Sequence, residues 1–155
     1  MTGRIAATLK ELGIGLPPAA AAQGAYVPYV RSGALLFVSG QITMGENGLE
    51  YLGTLGRDVN LENGKRAARL AALNVIAQAA ASLDGDLDRI KRVVKVTGFV
   101  NSSPDFTQHP EVVNGASDLF VEVFGDAGRH ARAAVGVSSL PRNAAVEIEA
   151  IFEVA

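Results

Sequence analysis

Between residues 61 and 83 the chain repeats small and aliphatic side chains at intervals of three and four: Ala68, Ala71, Ala72, Val75, Ile76, Ala79 and Leu83. That period gathers them on one face of a helix. Because the face is mostly alanine it is shallow, and a shallow face must lie close against something flat, which points to a sheet. Asn60 is a suitable N-cap and Gly85 a suitable stop just past the end. Glu62 precedes Arg66 by four residues, the favourable order for an ion pair on the outer side. Lys65, Arg66 and Arg69 read as a solvated face.

The rest of the chain supplies the sheet. Residues 26–31 and 34–39 are rich in β-branched and aromatic side chains, with Ser32-Gly33 between them as a hairpin signal. Glycines at 45, 48, 53 and 56 punctuate a stretch with room for a short third strand. Residues 89–100 read as a long strand, with Val94, Val96 and Val100 on one face and Val93, Lys95, Thr97 and Phe99 on the other. A second helix is expected over 111–124, burying Val113, Ala116, Phe120 and Phe124 and ending at Gly125. Two last strands cover 131–138 and 145–154. Ahead of all this, Ile5, Leu9 and Leu12 mark a short helix, and the paired prolines at 17 and 18 a connector. The predicted architecture is α+β: a mixed sheet with two helices packed on one face, forming one domain over 24–155 with residues 1–23 as an extension.

Composition narrows the chemistry. The 155 residues include no Cys and only two His, His109 and His130, with a formal net charge of −2. A chain of this length buries a core without covalent staples. Thiol catalysis and Cys-based metal sites are excluded, and nothing in the pattern calls for a metal or cofactor. The slightly acidic balance weighs against nucleic acid as a partner. No apolar run approaches the ~20 residues of a membrane span. The first residues lack the apolar core of a secretory signal, so a cytoplasmic protein is expected.

The final strands break pattern in informative ways. On 131–138 the even positions are Arg132, Ala134, Gly136 and Ser138, so one guanidinium projects over neighbours almost without side chains. Such a hollow suits a small carboxylate held by two parallel hydrogen bonds. On 145–154 the even positions Val146, Ile148, Ala150, Phe152 and Val154 form a core face. Glu147, Glu149 and Glu153 share the other. A glutamate in a cleft among like charges would have a raised pKa and could activate a water, though alternation alone does not choose which. Ser39-Gly40-Gln41 lacks the flanking glycine of a nucleophile elbow. His109 and His130 read as polar loop residues, with no Ser/His/Asp grouping.

Taken in order, these pieces resemble the Rid family of reactive intermediate deaminases, from about Gly24 to the end. The resemblance is carried by Tyr26, then Ser39-Gly40-Gln41, Gly56-Arg57-Asp58, Asn74, Val94-Lys95-Val96-Thr97-Gly98-Phe99-Val100 and Val113-Asn114. Its most specific part is Ala131-Arg132-Ala133-Ala134-Val135, Leu140-Pro141 and Val146-Glu147-Ile148-Glu149-Ala150. It implies a chorismate-mutase-like fold, a homotrimer, and cofactor-independent hydrolysis of enamines and imines such as 2-aminoacrylate to a 2-keto acid and ammonia. By the same resemblance Arg132 pairs with the substrate carboxylate and Glu147 positions the attacking water. Tyr26, Ser39, Gly40 and Asn114 would line the cleft between subunits. Two departures stand out: Ala134 replaces a frequent Cys, and the loop over 101–112 is longer than in the better-known members. The alternative is a non-catalytic binder or sensor of small carboxylates using the same hollow. An endoribonuclease acting on single-stranded RNA ranks third, since no basic, aromatic-lined strand face is present.

Overall fold

Asn60 caps the long helix as expected: its side chain accepts from the Asn63 N–H, and helix α2 runs Leu61–Ser82. The computed structural model describes residues 1–155. Helix α1 spans Arg4–Glu11; β1 (Tyr29–Ser32) and β2 (Leu35–Gln41) form the hairpin, turning at Gly33 with φ 60°. The glycine-rich stretch carries a two-residue hairpin, β3 (Met44–Gly45) and β4 (Gly48–Leu49), apart from the main sheet. After α2 come β5 (Ile90–Asn101), α3 (His109–Phe124), β6 (Ala131–Val137) and β7 (Val146–Val154). The five-stranded sheet has the order β1-β2-β7-β5-β6. Only β5 and β6 run parallel, joined through α3 as a parallel pair requires.

Helices α2 and α3 cover one face of this sheet, where the even side chains of β7 are buried together with Ala68, Ala71, Ala72, Val75 and Ile76. The opposite face has no helix over it, and Val30, Phe37 and Val135 lie on it at 50%, 40% and 44% exposure. Strict alternation fails on β5. Val93 is fully buried while Val94 is only half-buried, because the pairing with β7 slips between Val93 and Lys95. A bulge there inserts one residue and puts Val93 on the same face as Val96 and Val100, so the expected parity holds only beyond Lys95.

Close approach of the helices depends on one glycine. A Cβ built on Gly115 of α3 would run into the backbone carbonyl of Lys65 on α2. Gly115→Ala must therefore push the two helices apart, at a cost of about 1–3 kcal/mol. The expected result is a melting temperature lower by several degrees, read by differential scanning calorimetry. The Glu62–Arg66 pair does not form. Arg69 instead makes a two-pronged bond to Glu122 across α2 and α3, at 3.2 and 3.0 Å.

The first residues are tied down at three points. Ile5 and Leu9 of α1 are buried in the same core, whereas Leu12 is 44% exposed. Asp88 accepts from the backbone N–H of Arg4 at 2.7 Å and of Ile5 at 2.8 Å, and these two bonds hold its carboxyl below the usual range. Farther on, the buried Gln78 amide donates to the Ala20 carbonyl at 2.7 Å, which pins the connector across the end of α2.

Candidate functional site

The six candidate residues fall into two clusters, one on each face of the sheet. Glu147 belongs to the helix-free face, because its neighbours Val146 and Ile148 point into the core. It shares a cavity of about 200 Å³ with Tyr26, Gly40 and residues 20–23 of the connector. Gly40 leaves room for this carboxylate: a Cβ would stand 2.8 Å from Oε1 of Glu147, so a side chain there would displace the carboxylate. The slip between Val38 and Gln41 in the β2–β7 ladder re-aims the strand at this point. Burial raises the Glu147 carboxyl above the ordinary carboxylate range, and the charge on Glu149 adds to it.

Tyr26 and Ser39 are held by short local contacts. The Tyr26 hydroxyl accepts from the Gln23 N–H at 3.3 Å, and the Ser39 hydroxyl donates to the Val27 carbonyl at 2.8 Å. Ser39 lines the adjoining groove of the helix-free face with Lys95, Thr97 and Glu149. Its hydroxyl ties the hairpin together.

Arg132 and Asn114 form the second cluster. Parallel pairing sets Arg132 opposite Val96 and Ala134 opposite Gly98, so Arg132 shares the helix-covered side. Its Nη1 donates to Asn114 Oδ1 at 2.7 Å and to Ser117 Oγ at 3.1 Å, both on α3. Glu147 lies opposite Phe99, and Phe99 opposite Val135, so Arg132 is two strands over, three positions along and on the other face. Within one chain the two residues cannot meet around a small substrate.

Three features were not visible along the sequence. Gly136 does not widen the hollow beside Arg132: a Cβ there would collide with the His109 ring and stand 2.6 Å from Ser102 Oγ. Those two residues hydrogen-bond at 3.1 Å, and Phe106 meets the His109 ring edge-on at 5.4 Å. His130 is half-buried rather than a free loop residue, and bonds Ser117 at 2.9 Å. Arg142, with φ 55° in the left-handed region, stands on the rim of the Glu147 cavity and reaches Gln23 Oε1 at 3.4 Å. A sequence signal existed for one pair only: His130 stands two positions before Arg132, just ahead of β6, and Ser117 follows Asn114 by three on a helix. No group of His, Asp and Glu is arranged to hold a metal, and no helix is long and apolar enough to cross a membrane.

A mixed sheet with two helices on one face, an anchored guanidinium at its edge and a carboxylate on its bare side defines the chain as a small α+β domain. Residues 6–153 match the family model described as "YjgF/chorismate_mutase-like, putative endoribonuclease", and the chain belongs to that family. Protein TCP17 of Trypanosoma cruzi is 54% identical over 98% of this chain and 95% of its own length. The crystal structure of Atu1372 from Agrobacterium tumefaciens, a protein of unknown function, superposes with a TM-score of 0.91 at 52% identity, covering 97% of this chain and 92% of that one. RidA from an Antarctic Psychrobacter superposes with a TM-score of 0.59 at 28% identity, over 88% of this chain and 94% of its own.

Proposed function

We propose that this protein hydrolyses small carboxylate-bearing imines and enamines to 2-keto acids and ammonia, at sites completed between copies of the chain in a homotrimer. The observation that carries this is the division of the site. Arg132 is anchored through Nη1 alone, which leaves its Nε–H and Nη2–H edge without a protein partner for a carboxylate. Glu147 waits in a cavity that holds no Arg132. A neighbour seated on the bare sheet face would supply the missing half, and the exposed Val30, Phe37 and Val135 are the apolar surface it would cover. The RidA relative and the resemblance to the Rid family support the same chemistry.

The reaction asks little of the protein. An iminium carbon is already electrophilic, so it suffices to hold the carboxylate, orient a water and exclude others. Glu147 takes one proton from the attacking water as its oxygen bonds to the imine carbon. The proton then goes to the nitrogen of the tetrahedral adduct, and the carbon–nitrogen bond breaks as ammonia departs. Glu147, ionised again, takes the remaining hydroxyl proton as the carbonyl of the keto acid forms and passes it to the ammonia, which leaves as ammonium.

The test generates 2-aminoacrylate and other imines in situ and follows ammonia and keto-acid release with and without the protein. Acceleration that disappears in Arg132→Ala is the expected result. No acceleration with any imine, together with Arg132-dependent binding of a keto acid, would replace the enzyme by the carboxylate binder. The family description names an endoribonuclease, so single-stranded RNA is the control substrate. Cleavage that survives purification and is lost in Arg132→Ala would favour that activity instead.

A further inference from the structure

His130 and Ser117 lie outside the Glu147 cavity and take no part in the proposed hydrolysis, yet their hydrogen bonds run in one direction toward Arg132. His130 Nδ1 faces the Gly128 carbonyl at 2.7 Å. A carbonyl only accepts, so Nδ1 carries the hydrogen, and in the neutral ring Nε2 is left as an acceptor. Ser117 lies 2.9 Å from that nitrogen and gives it the hydroxyl hydrogen. The serine oxygen is thereby left with its lone pairs, one of which receives Arg132 Nη1 at 3.1 Å. Asn114 Oδ1 takes the other Nη1 hydrogen at 2.7 Å. Burial lowers the His130 pKa, which favours the neutral ring; the Gly128 bond opposes this, and the nearby Arg132 charge reinforces it. Phe120 meets the imidazole edge-on at 5.7 Å and fixes its plane.

We propose that the chain Gly128–His130–Ser117 is a positioning device that presets the Arg132 guanidinium, holding Nη1 so that the Nε/Nη2 edge faces the incoming carboxylate. This rests on the proposed role of Arg132 as the carboxylate partner. A free arginine loses side-chain entropy when it captures an anion, and a preset one has already lost it. The device therefore acts on binding and not on the chemical step. Ser117 and His130 are positioning residues.

The experiment measures pyruvate binding by calorimetry, steady-state kinetics with an imine generated in situ, and the 15N resonances of the Arg132 side chain. Ser117→Ala and His130→Leu remove successive links. Ser117→Thr keeps the hydroxyl, and His130→Gln keeps an acceptor near the position of Nε2. The two deleting variants are expected to raise the pyruvate Kd and the substrate KM about three- to tenfold, the effect of one hydrogen bond, with kcat within about twofold. The conservative pair should return to within about threefold of the parent. The Nη signals of Arg132, separate in the parent, should average in the deleting variants as the guanidinium rotates freely.

The proposal is overturned if both deleting variants bind pyruvate like the parent and keep separate Nη signals while Arg132→Ala abolishes binding. In that case the role of Arg132 stands and the relay does not. If Arg132→Ala itself leaves binding unchanged, the carboxylate role falls and takes the relay's purpose with it. Should Ser117→Ala fail to fold, His130→Leu against His130→Gln decides the question alone.

Discussion

Glu147→Gln is expected to lower kcat for imine hydrolysis by about two to four orders of magnitude, the usual contribution of a positioned general base. The amide fills the same space against Gly40 but cannot take a proton from water. The pH profile separates loss of a base from loss of shape. A base works ionised, and burial and Glu149 both raise the pH at which Glu147 ionises. The rate of the parent should therefore fall as pH drops through that raised value, an acid limb lying above the ordinary carboxylate range. Glu149 on the same strand is the charged group that adds to burial, and Arg142 is the other charged side chain on the cavity rim. In Glu147→Gln the limb should vanish.

Stability runs the other way. Because the folded pKa of Glu147 is raised above its unfolded value, its stabilising contribution is complete below the unfolded pKa. It is lost as pH rises through the folded one. At neutral pH the ionised side chain is a small burden on the fold, so Glu147→Gln should melt no lower than the parent. A variant that loses both rate and melting temperature would assign Glu147 a structural role.

Arg132→Ala should act on capture. Losing two charge-assisted hydrogen bonds to a carboxylate lowers kcat/KM by about 10²- to 10³-fold, mostly through KM. The division of the site makes a stronger demand. Arg132→Ala retains an intact Glu147 cavity, and Glu147→Gln retains an intact Arg132 edge. Co-expressed at equal levels, two nearly inactive chains should assemble trimers in which about a quarter of the sites pair the intact half of each. Activity regained on co-expression, and absent when the separately purified proteins are mixed without subunit exchange, is the expected signature. Sedimentation of the parent as a monomer would remove the shared site altogether.

The core was legible where one element repeats one period. The α2 stripe, the core face of β7 and the stripe Val113, Ala116, Phe120, Phe124 are all buried as their spacing requires. It was not legible at Val93, because a bulge is a relation between two strands and alternation within one strand carries no trace of it. The same limit governed the site. The short motifs around Arg132 and Glu147 could be matched, but that they occupy opposite faces follows from the β5–β6 and β5–β7 registers. Ser117 and His130 lie 13 positions apart and meet only because α3 packs beside β6. The surroundings of Gly136 are hidden for a related reason: what fills the space above that glycine, His109 and Ser102, comes from elsewhere in the chain.

The connector across the Glu147 cavity has an evolutionary consequence. Residues 20–23 form one wall of that cavity without belonging to any helix or strand, and Gln78 holds them by the Ala20 backbone, indifferent to side-chain identity. The three alanines at 20–22 can therefore change size or polarity while the sheet, the helices and the anchoring bond stay as they are. Selection for a new substrate would meet little resistance from folding there. Members of this group should diverge in what they accept by rewriting a strap that the core does not read.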